Sequence, residues 1–107
     1  MKTKFTPGSW GVCNLTDVFT GLGAPNNLGI HADNNDGWQI ADCHVGITSV
    51  HGVYRPLITG EQQANANLIA AAPDMYSLLS KILKADYSLE WSMGEIEELL
   101  AKARGEK

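Results

Sequence analysis

Apolar residues recur at helical spacing in the second half of the chain. From Met75 onward they occupy positions i, i+3, i+4, i+7 and i+8, as Met75, Leu78, Leu79, Ile82 and Leu83. This spacing is typical of an amphipathic helix, whose apolar side packs against a neighbour. Lys81 and Lys84 fall outside the stripe, so we expect them in solvent. Pro73 precedes it and, because proline lacks an N–H group, ends or kinks a helix there.

A helix rich in small residues is predicted before Pro73, over about residues 61–72. Thr59 and Gln62 fit a capping box, in which a hydroxyl and an amide three residues later satisfy free backbone N–H groups. Residues 61–86 are therefore predicted to form a kinked helix or a helix pair. Five side chains are expected to make its packing face or an interface: Ala64, Leu68, Met75, Leu79 and Ile82.

A last helix is predicted over residues 92–105. Ser92 and Glu95 match a second capping box, and apolar residues at helical spacing follow. Acidic residues come early in this segment and Lys102 comes late, an order that favours the helix dipole.

The first half of the chain has the composition of strands and loops, with 8 of the 11 glycines. Residues 10–15 and 47–54 carry β-preferring side chains and predict short strands. Residues 28–32 and 38–45 flank the segment Asp33–Gly37. Since Asp-Gly suits a tight turn, these two flanks predict a β-hairpin.

Strands followed by helices indicate the α+β class. We predict one domain, residues 1–107, in which a small antiparallel sheet of three to four strands from residues 6–60 is packed by two to three helices. The striped helices offer more apolar surface than so small a sheet covers. A homodimer would bury the remainder.

Charge and hydropathy exclude several classes of protein. The net charge is −4 and no run of Lys or Arg occurs, which argues against binding to nucleic acid. No apolar run approaches the roughly 20 residues of a membrane span. Residues 1–8 do not read as a signal peptide. We therefore expect a cytoplasmic protein, with both cysteines reduced.

Histidine, aspartate and cysteine side chains cluster in the first half and could hold a transition metal. The predicted hairpin would bring His31 towards the run Asp42, Cys43 and His44. A Cys–His nucleophile is the other possibility, with Cys43 activated by a histidine. Neither arrangement has an established motif spacing, so we expect no metal, no cofactor and no catalytic residue.

A glycine-rich loop offers a different kind of site. Glycine and asparagine in loops can present donors to a small anion or to a partner, and an exposed tryptophan nearby would add a contact surface. The residues predicted for binding are Gly21, Gly23, Asn26, Asn27, Asp36 and Trp38. The simpler interpretation is a flexible connection.

Two segments resemble small proteins encoded by tailed bacteriophages and prophages. The first is Thr6-Pro7-Gly8-Ser9-Trp10, where relatives usually have proline in place of Ser9. The second is the run from Ala64 to Pro73, Ala-Asn-Ala-Asn-Leu-Ile-Ala-Ala-Ala-Pro, followed by a leucine-rich helix. The resemblance implies a phage accessory protein and supplies no catalytic residues.

Two functions follow from these observations. The first is a non-enzymatic binding module that contacts a host protein or sequesters a small ligand, with counter-defence as one such role. The alternative is a small enzyme that depends on a metal or on the Cys/His cluster.

Overall fold

The computed structural model describes residues 3–44, 47–83 and 89–106. Strands come first and helices second, so the predicted α+β class is confirmed. The strands are β1 (Trp10–Cys13), β2 (Asp17–Thr20), β3 (Gln39–Asp42), β4 (Ile47–Val50) and β5 (Val53–Pro56). The helices are α1 (Thr59–Ala70), α2 (Ala72–Leu83) and α3 (Leu89–Ala103).

The strands form two separate antiparallel sheets. One has three strands in the order β1-β2-β3, and the other is the hairpin of β4 and β5. The central strand β2 was not predicted, because its four residues are too few to show an alternating pattern. A register shift between Val18 and Phe19 further disturbs its pairing with β3.

The hairpin predicted around Asp33–Gly37 is wrong. β3 pairs with β2, and residues 28–32 contribute only an isolated bridge between His31 and Pro25. The reason lies at Gly37, where an added Cβ would sit 2.6 Å from the carbonyl oxygen of Thr20. Glycine here allows the loop to approach β2 closely and does not mark a tight turn.

Residues 47–54, predicted as one strand, contain the turn between β4 and β5. His51 and Gly52 both have left-handed backbone angles, with φ of 51° and 81°. Two such residues in succession make the tight turn that matches the twist of a β-hairpin. The sequence signal is weak because asparagine or aspartate, and not histidine, usually precedes the glycine.

The core lies where α1 packs across the three-stranded sheet. Val18 of β2 is fully buried against Ala66 and Ala70 of α1. Half-buried Trp10 and Ile40 pack around this cluster. The small residues of α1 let its backbone come close to the sheet, as their composition predicts.

Both predicted capping boxes are wrong. α1 follows Ile58, which makes no side-chain hydrogen bond to the helix, and Ser92 lies inside α3. Gln62 is instead buried, and its Nε2 donates a hydrogen bond to the carbonyl oxygen of His44 at 3.2 Å. Pro73 lies in the first turn of α2, where a missing N–H group costs nothing, so the predicted helix end before it is confirmed.

The chain exposes more surface than its mass requires. Its accessible area is 7809 Å², against about 5,800 Å² for a typical monomer of this mass. Its radius of gyration is 16.3 Å, against about 13 Å for a compact domain of this length. A large share of the apolar side chains is therefore outside the core.

Candidate functional site

The six residues predicted for binding lie in or beside one loop, residues 21–38. The loop is closed by backbone hydrogen bonds: Gly23 N donates to Asp36 O at 2.9 Å, and Ala32 N donates to Ala24 O at 3.0 Å. The structure thus brings Gly23 and Asp36 together. Gly21 and Asn27 lie exposed on the same loop.

Three of the residues predicted for binding form side-chain hydrogen bonds within this loop. Oδ1 of Asn26 accepts hydrogen bonds from the backbone N–H groups of Leu28 and Ile30, at 2.9 and 3.0 Å. Nε1 of Trp38 donates to Ala24 O at 3.1 Å, and Oδ1 of Asp36 accepts from Gly37 N at 2.8 Å. These contacts explain the loop's asparagine and tryptophan without a ligand.

The histidine, aspartate and cysteine side chains considered as possible metal ligands do not come together among the described residues. No three His, Cys, Asp or Glu side chains within residues 3–44, 47–83 and 89–106 lie close enough to hold a metal ion. The ring Nδ1 of His31 lies 2.8 Å from Gly23 O. His44 follows β3, and its backbone N–H donates to Asp42 Oδ1 at 2.9 Å. The hairpin that was expected to join them does not form.

Cys43 lies next to the core and beside acidic groups. Burial raises the pKa of its thiol, and the carboxylates of Asp42 and Asp17 raise that pKa further. A raised pKa leaves less thiolate at neutral pH, and the thiolate is the nucleophile. This environment is the opposite of the one that activates a catalytic cysteine.

Replacing Asp42 with Asn is expected to increase the reactivity of Cys43. Loss of the carboxylate lowers the thiol pKa, so alkylation at neutral pH becomes several-fold faster and its midpoint moves to lower pH. The measurement is the pH profile of iodoacetamide labelling in a Cys13→Ser background, with Asp36→Asn as the control. An unchanged or upward midpoint for Asp42→Asn would contradict this account of Cys43.

An open groove of about 490 Å³ lies between α2 and α3. Leu78 and Leu99 line it together with charged side chains of both helices. Nζ of Lys102 lies 2.7 Å from Oδ2 of Asp74, and Lys81 and Glu98 also have interaction partners. The Asp74–Lys102 ion pair links α2 to α3 across this groove.

The residues predicted for helical packing separate into two groups. Met75 and Ile82 are half-buried, whereas Ala64, Leu68 and Leu79 are exposed. The face of α1 that packs on the sheet carries Gln62, Ala66 and Ala70, so the packing face of α1 lies opposite to Ala64 and Leu68. Any role of these exposed residues between chains stays a prediction.

The β4–β5 hairpin is a surface that the sequence did not point to. Neither strand packs extensively against the other elements. Ile47 and Tyr54 are exposed on one face, while Val50 and Val53 are exposed on the other. The β-preferring residues on both sides of His51-Gly52, which include Val50 before the turn and Val53 and Tyr54 after it, are the signal that could have identified it.

Comparisons with known proteins support the resemblance to phage proteins at the level of the family. No helix in the described part of the chain is long and apolar enough to cross a membrane. No curated protein and no solved structure matches the chain. The model of the family of Salmonella phage P22 protein Y8K6 matches residues 1–107, and the chain belongs to that family of phage proteins.

Proposed function

We propose that the chain is a non-enzymatic accessory protein of a phage that binds a protein of the infected bacterium in the cytoplasm. The observation that carries the proposal is the β4–β5 hairpin with both faces in solvent. Tyr54 is 79% exposed and lies on the same face as exposed Ile47, and contiguous exposed apolar surface is typical of a protein interaction site. Counter-defence by blocking a host protein is one specific form of this role.

The chemistry of the hairpin indicates the kind of partner. Arg55 is the one charged residue between Ile47 and Ile58, and a two-stranded sheet leaves the outer edge of each strand without a ladder partner. Such a ribbon is marginally stable by itself, and an open uncharged edge tends to pair with another strand. The partner that fits is a protein with an extended segment or an open strand edge, bound by strand addition.

A protein partner fits this surface better than a small ligand does. Small molecules bind in concave sites where a few polar groups converge, and the side chains of Asn26, Asp36 and Trp38 already bond within the 21–38 loop. The hairpin offers flat apolar surface on both faces. The raised pKa of the Cys43 thiol also weighs against the alternative of a Cys/His-dependent enzyme.

Replacing Tyr54 with Asp is expected to abolish capture of the host partner. Wild-type and Tyr54→Asp chains serve as baits in a lysate of the host bacterium, with Leu28→Asp as a matched control at another exposed position. The captured protein is then purified and titrated against each variant. We expect Tyr54→Asp to weaken binding at least about 100-fold, because a desolvated aromatic anchor dominates interfaces of this kind.

Three outcomes would contradict the proposal. The first is that the purified partner binds the Tyr54→Asp variant as tightly as wild type. The second is that the Leu28→Asp variant loses as much affinity for the partner as Tyr54→Asp does. Stoichiometric metal in untagged protein, lost on His44→Ala, would favour the enzyme alternative.

A further inference from the structure

We infer that the host partner adds its strand to the outer edge of β4 and not to that of β5. The inference rests on the proposed function and deepens it, because it names the receiving edge and the segment that this edge accepts. Neither outer edge has a ladder partner among the strands that the structure describes. The two edges differ, however, in the backbone groups that they present.

The register of the hairpin decides which backbone groups point outward. Val50 and Val53 flank the two-residue turn, so their N–H and C=O groups bond to each other. Along an antiparallel ladder, pairs that exchange hydrogen bonds alternate with pairs that exchange none. The pairs that exchange none, and whose backbone groups therefore point to the outer edges, are Ser49 with Tyr54 and Ile47 with Pro56.

A proline makes the two edges unequal. On β4, Ile47 and Ser49 each present an N–H donor and a C=O acceptor to an added strand. On β5, Tyr54 presents both groups, but Pro56 has no N–H to donate. Proline on an outer strand is a common means of preventing pairing with another chain. β4 is therefore the edge with a complete set of donors and acceptors.

The charges of the two strands indicate the same edge. β4 has the sequence Ile-Thr-Ser-Val and carries no charge, whereas β5 contains Arg55. Charged residues on an edge strand oppose pairing with another chain, as proline does. The segment that fits β4 is a short, extended and uncharged stretch of the host partner whose backbone N–H and C=O groups are free to bond.

Addition at β4 also accounts for the exposed side chains of the hairpin. A third strand removes the marginal stability of an isolated two-stranded ribbon. Ile47 and Tyr54 lie on one face of this ribbon, and the body of the partner beside the added strand can cover them. Backbone hydrogen bonds at β4 and side-chain contacts on this face then bind the same partner.

The test titrates the captured and purified host protein against Ser49→Pro, with Ser49→Ala and Pro56→Ala as controls. Ser49→Pro removes an outward N–H and leaves the ladder to β5 intact, because Ser49 makes no ladder bond. The proline ring also holds an added strand away from the neighbouring groups. Each lost hydrogen bond weakens binding roughly 5- to 10-fold, so loss of two or more is expected to weaken it at least about 25-fold. Both controls keep the edge of β4 and should bind within about 2-fold of wild type.

Amide exchange, followed residue by residue by NMR, is the second measurement. In the free chain we expect the amides of Ile47, Ser49 and Tyr54 to exchange faster than those of Val50 and Val53. In the complex we expect the amides of Ile47 and Ser49 to become protected and that of Tyr54 to stay unprotected. If Ser49→Pro lacks the close Hα–Hα contact between residues 49 and 54 and so does not form the hairpin, this measurement decides the question.

Other results would overturn the inference. Binding of Ser49→Pro at wild-type affinity, with Tyr54→Asp still impaired, would remove it and leave the proposed function in place. Protection of the Tyr54 amide alone, or much tighter binding by Pro56→Ala, would assign the added strand to β5. Protection of Ile47 and Ser49 that rises with the concentration of the chain by itself would assign the edge to a second copy. A chain that captures no host protein would remove the proposed function and this inference together.

Discussion

Replacing Val18 with Asp is expected to leave the protein largely unfolded at 25 °C. Val18 is 0% exposed and lies against Ala66 and Ala70 under α1. The side chains packed around Val18 in this cluster are apolar, so an aspartate there is buried without compensation. That cost is about 4–5 kcal/mol, which approaches the whole stability of about 5–15 kcal/mol for a domain of this size.

The measurement is chemical unfolding followed by circular dichroism and tryptophan fluorescence. The matched control is Val53→Asp, the same change at an exposed strand position of the hairpin, which should alter stability by no more than about 0.5 kcal/mol. Val18→Ala should have an intermediate effect and lower the free energy of unfolding by about 2 kcal/mol, because it removes two methyl groups and leaves a cavity. A Val18→Asp chain that unfolds at the wild-type midpoint would show that the core lies elsewhere.

Replacing Gly37 with Ala is expected to destabilise the protein, the second large effect that we predict. The new Cβ would lie 2.6 Å from Thr20 O and 3.2 Å from Gly21 O, both fixed backbone atoms. The adjoining contacts extend the sheet: Thr20 N donates to Trp38 O at 2.9 Å, and Trp38 N donates to Thr20 Oγ1 at 2.8 Å. Relieving the overlap must move these hydrogen-bonded groups apart, so we expect the free energy of unfolding to fall by about 2–3 kcal/mol.

Gly60→Ala is the control for this substitution. An added Cβ at Gly60 meets nothing within 4 Å, and alanine is the better helix former in α1, so stability should rise by about 0.4–1 kcal/mol. Urea unfolding monitored by tryptophan emission measures both variants. Equal midpoints for Gly37→Ala and wild type would mean that the loop does not approach β2 this closely.

The helices could be predicted from the sequence because their signals are local. The apolar spacing after Pro73 and the proline itself place α2 within a few residues of its observed bounds, Ala72–Leu83. The capping boxes were predicted wrongly because a local sequence pattern does not show which tertiary contacts its residues make. Thr59 and Gln62 satisfy the pattern, yet Gln62 is used in a tertiary contact with the backbone of His44.

The strand pairing could not be predicted because it depends on contacts distant in the chain. Asp36-Gly37 resembles a hairpin turn, but the partner of β3 is β2, about twenty residues earlier. Short strands whose pairing is set by a close backbone approach leave no periodic pattern to detect. The turn between β4 and β5 could not be predicted either, because His51 has the left-handed backbone conformation that asparagine or glycine usually adopts.

The binding residues predicted in the 21–38 loop and the hairpin surface proposed here lie in different parts of the chain. The composition correctly indicated apolar surface beyond the core. The glycine-rich loop was predicted to bind a ligand or partner because glycine, asparagine and tryptophan are common in binding sites. In the structure, Asn26 and Trp38 form hydrogen bonds that stabilise the loop itself. Exposure of strand residues such as Tyr54 becomes visible only when the arrangement of β4 and β5 is known.

Amide hydrogen exchange of the full chain, alone and with its purified host partner, tests the central claim most directly. Strand addition places new acceptors on the open edges of the hairpin, so the account predicts slower exchange of amides within residues 47–56 in the complex and unchanged exchange in the 21–38 loop. Protection confined to the 21–38 loop or to the groove between α2 and α3, with none in the hairpin, would contradict it.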